Sequence, residues 1–187
     1  IFVEKKEDFR VEAQNLFSDL KENIGLAGLL DVRVLNIYDI FNLGKNDLQK
    51  LEKTVFSEIN VDNVYKSLEE SLGAHKNKNS KEVYFSVEFL PGQYDQRADS
   101  AIQCINLLID QDNNINVKSG KLIVLYGNIS SEELNKIKKH CINNVEAREK
   151  NLDILSENIE LPNKDKVIVY DGFIKKNKEE IVKMRND

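Results

Sequence analysis

The sequence predicts an α+β fold: duplicated βαβ-type halves that form an antiparallel-sheet pseudo-dimer, with helices packed on the sheet. Three observations carry this expectation. Strand-like and helix-like periodicities alternate in the same order twice, a polar segment separates the two runs, and their apolar stripes correspond. The 187 residues are 41% hydrophobic and 32% charged, a balance that lets a chain of this length bury a core.

The first run opens with a short strand over residues 1–6. A helix follows, with Ala13, Leu16, Phe17 and Leu20 at i, i+3, i+4 and i+7 on one face. Asp31 to Tyr38 alternates and is β-branched, so it reads as a strand, and its apolar character continues to Leu43 as one bent strand or two. A second helix is expected from Asn46 as N-cap, with Gln49 in capping-box position and Leu48, Leu51 and Val55 as its stripe. A short strand from Val61 to Tyr65 closes the unit.

Residues 73–82 are rich in Asn and Lys and carry no apolar period, which marks a connector. The order then repeats. Val83 to Leu90 is a strand, and a helix from Asp95 carries Ala98, Ala101, Ile102, Ile105, Leu108 and Ile109. Lys121 to Tyr126 is a strand, and Ser130 with Glu133 forms a capping box ahead of Leu134, Ile137 and Cys141. The halves, 1–72 and 83–150, align by matching Val3-Glu4 with Val87-Glu88, Ala13, Leu16, Phe17 and Leu20 with Ala101, Cys104, Ile105 and Leu108, Ile37-Tyr38 with Leu125-Tyr126, and Leu48, Leu51, Phe56 and Ile59 with Leu134, Ile137, Ile142 and Val145. The offsets run from 84 (87 − 3) to 88 (101 − 13). Residues 151–187 depart from the pattern, with Pro162, a strand-like stretch from Lys166 to Tyr170, and a charged end from Lys175 that suits a helix. The chain opens inside a strand pattern and stops without a cap, as expected of a piece of a longer protein whose linker starts at residue 151.

A net charge of −5 argues against sequence-independent nucleic-acid binding, which needs a positive surface. No apolar run approaches the roughly 18 residues of a membrane-spanning helix, and the N-terminus lacks the pattern of a signal peptide. Cys104 and Cys141 fall in patterned helices without metal-ligand spacing, so buried thiols in a reducing, cytoplasmic setting are expected. His75 lies in the polar connector, and His140 follows Lys138 and Lys139 where a helix end favours cations. None of these forms an acid–base pair.

One loop concentrates information. Glu88 to Ala101 runs from a strand through the Pro91-Gly92 turn into a helix capped by Asp95. Asp95 and Asp99, one helical turn apart, could hold Arg97 or a partner's cation. Gln93, Tyr94, Asp95, Gln96 and Arg97 gather polar groups and an aromatic at a rigid corner, which suits an interface or a substrate-facing loop, although a cap, a turn and a solvated helix face would use the same residues.

The run Leu90-Pro91-Gly92-Gln93-Tyr94-Asp95-Gln96-Arg97-Ala98-Asp99-Ser100-Ala101 resembles a signature in the N-terminal domain of the large, single-chain phosphoribosylformylglycinamidine synthases. Asp31 to Asn36 with Tyr38-Asp39, and Asn144 to Glu149, resemble the same family. The resemblance covers most of residues 1–175. It implies a fused pair of the small accessory subunit found in the split bacterial enzyme. It also implies membership of an ATP- and glutamine-dependent ligase of purine biosynthesis, which amidates formylglycinamide ribonucleotide. ATP and magnesium would belong to the full-length enzyme, and the partners would be the synthase and glutaminase domains of the same chain. This sequence shows no glutaminase nucleophile elbow and no glycine-rich phosphate cradle, so an inactive accessory piece is expected, with no cofactor and no metal of its own. Two other readings are a free-standing regulatory module binding a small effector between its halves, and a small enzyme using Asp95, Arg97 and Asp99.

Overall fold

The computed structural model describes residues 1–75, 81–109, 114–153, 155 and 157. Its strands are β1 (Phe2–Lys5), β2 (Leu29–Phe41), β3 (Asp62–Tyr65), β4 (Glu82–Phe89), β5 (Asn116–Gly127) and β6 (Ala147–Glu149). Its helices are α1 (Val11–Asn23), α2 (Lys45–Leu51), α3 (Leu68–Gly73), α4 (Gln96–Leu108) and α5 (Ser131–Cys141), with a widened turn at Glu52–Phe56 continuing α2. The strands form one antiparallel sheet in the order β3-β1-β2-β5-β4-β6. The order is the same from either edge inward, third strand, first strand, second strand of each half, so β2 and β5 meet at the centre. The expected α+β class and the helix-covered antiparallel sheet are therefore present.

Strand register gives the duplication its residue-level form. Val3 pairs with Val64 and Asn36, and Val87 pairs with Glu149 and Lys121. The equivalences are thus Val3 with Val87 (87 − 3 = 84), Asn36 with Lys121 (121 − 36 = 85) and Val64 with Glu149 (149 − 64 = 85). Asn36 and Lys121 also face each other in the β2–β5 ladder, so the pseudo-twofold axis passes between them. Buried helix positions keep the same offset. Ala13 and Leu20 of α1 match Ala98 and Ile105 of α4, 85 residues on in both cases (98 − 13 and 105 − 20).

This register corrects part of the expected alignment. Matching Ala13 with Ala101 and Leu20 with Leu108 runs three residues too far, since Leu108 is exposed and Cys104 is exposed as well. Matching Ile37-Tyr38 with Leu125-Tyr126 places residues on opposite sheet faces. Tyr38 packs under the helices, whereas Tyr126 packs on the reverse side. Strands alternate faces every residue, so an offset wrong by an odd number inverts them. The pairing of Val3-Glu4 with Val87-Glu88 stands.

Local signals explain most boundaries. Ser130 accepts from Glu133 N–H while Glu133 reaches back to Ser130 N–H, the expected capping box. Asn46 is not a cap. Gly44 holds that position without a side-chain bond, and α2 starts at Lys45. β2 is one continuous strand. The short α3, capped by Ser67, and the strand β6 were not anticipated. The strand and helix expected between residues 166 and 187 lie outside the described residues.

Helices α1, α2, α4 and α5 cover one face, and the two first helices reach across to the other half. Ala98, Ala101 and Ile105 of α4 pack on Val3, Tyr38, Leu51 and Phe56 of the first half. Leu20 of α1 packs on Phe85, Ile123, Leu125 and Ile137 of the second. On the reverse face Leu35, Ile37, Leu122 and Val124 lie under Leu68 and Leu72 of α3 and under Leu152. There Gly120 sits below Lys150, whose ammonium bridges Asp39 and Glu88 at 2.6 and 3.1 Å. A Cβ on Gly120 would lie 2.7 Å from Val87 O, so the close approach of β4 requires glycine.

Leu20 and Ile105 are fully buried at equivalent places, each at a contact between halves. Leu20→Ala and Ile105→Ala should each cost about 2–5 kcal/mol, measured by denaturant unfolding of the 187-residue chain. A loss under about 1 kcal/mol at either position would place it outside a close-packed core.

Candidate functional site

A cleft opens beside α4 on the helix face, with a volume of about 760 Å3. Its floor is Val87 of β4 and Ser119, Gly120 and Lys121 of β5; its walls include Arg97, Ser100, Ala101 and Cys104 of α4. Tyr38 and Val55 of the first half close one side, and Phe89, Tyr94, Gln96 and Ala147 form the mouth. The cleft therefore lies where the two halves meet. Three of the five site residues expected from sequence, Tyr94, Gln96 and Arg97, line it.

The loop that supplies them is built by local chemistry. Gln93 N–H donates to Leu90 O at 3.0 Å, closing a turn with Pro91 and Gly92 at its corners. Gly92 has φ +90°, which a type II turn demands at that position and glycine supplies without strain. Leu90 N–H donates to Glu146 O and the Gln93 side chain to Val145 O, tying the loop to the segment before β6.

Asp95 does the structural work. Its carboxylate accepts from Ala98 N–H at 2.9 Å, the helix cap, and from Ser119 N–H and Ser119 Oγ at 2.7 Å each. β4–β5 pairing ends at Glu88–Gly120, and Ser119 N–H goes to Asp95 instead. The carboxylate thus welds the start of α4 to the central strand. Asp95 does not hold Arg97, and neither does Asp99, which accepts from Tyr94 Oη at 2.8 Å and Gln103 Nε2 at 2.7 Å. That bond to Asp99 raises the Tyr94 phenol above its ordinary pKa.

Arg97 donates to the hydroxyl of the buried Tyr38 at 3.3 Å and makes no ion pair among the described residues. Lys121 is held by Glu12 of α1. Glu88 is taken by Arg148 and Lys150 on the far side of the sheet. Tyr38 was legible as a strand residue but not as part of a site, because the contact joins residues 59 apart through the exchange of helices.

The remaining candidates separate clearly. Cys104 is exposed at the cleft wall, against the buried thiol expected, because the buried stripe of α4 runs through Ala98, Ala101 and Ile105. Cys141 is half-buried, and desolvation together with the Asp19 carboxylate pushes its thiol up to about 11. His140 contacts Asp19 at 2.5 Å, linking α5 to α1. His75 stands 4.0 Å from Glu4, half-exposed. Among the described residues no group of three or more His, Cys, Asp or Glu is placed to hold a metal ion, and no helix is long and apolar enough to cross a membrane. Comparison with protein-family models, curated proteins and solved structures gives no match.

Two measurements follow from this geometry. Asp95→Ala should cost the chain about 2–4 kcal/mol, from the lost cap and from Ser119 groups left unpaired, whereas Tyr94→Ala and Arg97→Ala should each stay within about 1 kcal/mol of wild type. Thermal unfolding of the three variants decides it, and an equal loss in all three would make the loop a cooperative part of the core. With a maleimide or iodoacetamide at about pH 8, Cys104 should label first and Cys141 at least about tenfold more slowly. The reverse order, read by mass spectrometry, would overturn the assignment of exposure.

Proposed function

We propose that this chain is the N-terminal, non-catalytic accessory domain of a phosphoribosylformylglycinamidine synthase acting in the cytoplasm, where it positions the synthase and glutaminase domains of a longer protein. The observation that carries the reading is the mirrored strand register, in which Val3, Asn36 and Val64 recur as Val87, Lys121 and Glu149. A fused pair of small accessory subunits, which the resemblance implies, calls for this arrangement. The division of labour in the loop supports it further. Asp95 faces inward, and Gln93, Tyr94, Gln96 and Arg97 are exposed on a rigid corner, where contact with another domain needs them.

On this reading the nucleotide chemistry lies outside this chain. Among the described residues the helices have Arg10, Gly44, Ser67, Asp95 and Ser130 at their N-cap positions, and none follows a glycine-rich loop able to cradle phosphates. ATP and magnesium, which the resemblance implies for the full-length enzyme, would belong to its catalytic domains. The cleft between the halves favours a second reading, a regulatory module of duplicated α+β type that takes an effector there.

In the full-length enzyme Tyr94→Ala and Arg97→Ala should lower synthase turnover, while the 187-residue chain alone releases no glutamate from glutamine and forms no ADP with formylglycinamide ribonucleotide. Turnover at wild-type level in both variants, or activity of the isolated chain above background, would refute the accessory role.

A further inference from the structure

We propose that the cleft beside α4 binds a small organic oxyanion, a phosphate ester or a carboxylate carried on a flat or apolar body, with Arg97 as its anchor. The first argument is charge left over. Where the duplication places Arg10 and Glu12 at the start of α1, it places Asp95 and Arg97 at the start of α4 (95 − 10 = 85 and 97 − 12 = 85). Three of these four charges are satisfied within the chain. Arg10 pairs with Glu7 and Asp31, Glu12 with Lys121, and Asp95 with the α4 cap and Ser119. Of these four, Arg97 alone has no opposite charge paired with it among the described residues.

The second argument is shape. Arg97, though exposed, stands in the wall of an open cleft of about 760 Å3, within the roughly 300–1,000 Å3 range of small-molecule sites. A guanidinium presents five donors in a planar fork that matches an oxyanion, and here one of them is engaged, by the Tyr38 hydroxyl. That hydroxyl belongs to a side chain 5% exposed, and its own proton has no acceptor among the described residues. Arg97 and Tyr38 thus offer converging donors from the two halves.

The third argument is the rest of the lining. Val55, Val87, Phe89, Tyr94, Ala101 and Ala147 supply apolar and aromatic wall, which suits the body of the ligand and not a bare hydrated ion. The one carboxylate in the lining, Glu88, is neutralised by Arg148 and Lys150, so it does not repel an anion. The Tyr38 ring is fixed edge-on against Phe56, with centroids 5.0 Å apart, so its hydroxyl is held in place before any ligand arrives.

The test is done on the 187-residue chain, so it stands or falls independently of the synthase reading. Phenyl phosphate, benzoate and benzyl alcohol are titrated separately and followed by amide chemical shifts. Either phenyl phosphate or benzoate should bind with a dissociation constant of about 1 mM or tighter, shifting the amides of residues 96–101 and 119–121, while the uncharged alcohol should be at least about tenfold weaker. Phenyl phosphate binding ahead of benzoate identifies a phosphate ester as the ligand class; the opposite order identifies a carboxylate. Arg97→Ala should weaken the better ligand at least about tenfold and Tyr38→Phe about threefold, with Lys21→Ala, a cation on α1 outside the cleft lining, as the unchanged control. If neither anion shifts these amides at about 10 mM, or if Arg97→Ala binds as well as wild type, the cleft is not an oxyanion site.

Discussion

Everything in this molecule hangs on the pairing of β2 with β5, an unbroken antiparallel ladder from Asp31–Tyr126 to Phe41–Asn116. Because it joins the second strands of the two halves, it turns two small units into one sheet whose reverse face they share. It also brings the first helix of each half against elements of both halves, so Leu20 and Ile105 find partners on each side of the ladder. Both helix-face cores draw residues from the two halves, so opening the ladder would divide each of them. A single half of this size would bury too little apolar surface to offset chain entropy, and fusion makes the association intramolecular.

The reverse face shows how the register is enforced. Arg33 of β2 donates to both oxygens of Glu4 on β1, at 2.7 and 2.6 Å, and to Tyr126 Oη and Ser71 O at 3.1 and 3.0 Å. The pair is buried, and Tyr65 Oη completes the Glu4 carboxylate at 3.3 Å. Burying two charges costs heavily, and only a bidentate, fully bonded geometry recovers it. A slip of β1 against β2 by one residue would strand both charges, so the pair penalises wrong registers more than it stabilises the right one. The second half solves the same problem with different residues. Glu88, the equivalent of Glu4, meets Lys150 and Arg148. Burial lowers the Lys150 pKa, but Asp39 and Glu88 outweigh it and hold the ammonium above its ordinary value. That raised value makes its contribution complete below the unfolded lysine range and lost only as pH rises through the folded pKa.

Much of this fold was legible from periodicity. The alternation of strands and helices, the caps at Asp95 and Ser130, and the existence of a duplication rest on local chemistry that a single sequence displays. The exact offset was not legible, because Ala101 and Ile105 satisfy a helical stripe under either alignment, three residues apart. Strand register settles it, and register depends on partners distant in sequence. Cys104 was misassigned for the same reason: an apolar residue on the border of a stripe is buried or exposed according to what lies opposite. The loop of the candidate site was found by its turn chemistry. Tyr38, which completes the site, carries no local signal, since a tyrosine in a strand is ordinary core until the exchanged helix brings Arg97 to its hydroxyl.

The two copies of the helix start show what the duplication has been used for. A symmetric pair of subunits would carry the same charges at both places, and each would answer them in the same way. Here the first start is closed: Arg10 and Glu12 are satisfied by Asp31, Glu7 and Lys121, and the helix lacks a side-chain cap. The second is the better-anchored one. Asp95 replaces Arg10 and fixes the helix to Ser119, which frees the position two residues later from capping and ion pairing within the described residues. Arg97 occupies that position, against the cleft and beside a hydroxyl from the other half. Fusing the copies is what permits such divergence, because one chain can give its halves different side chains on a common scaffold. The symmetry builds the sheet, and the departure from it builds the candidate site.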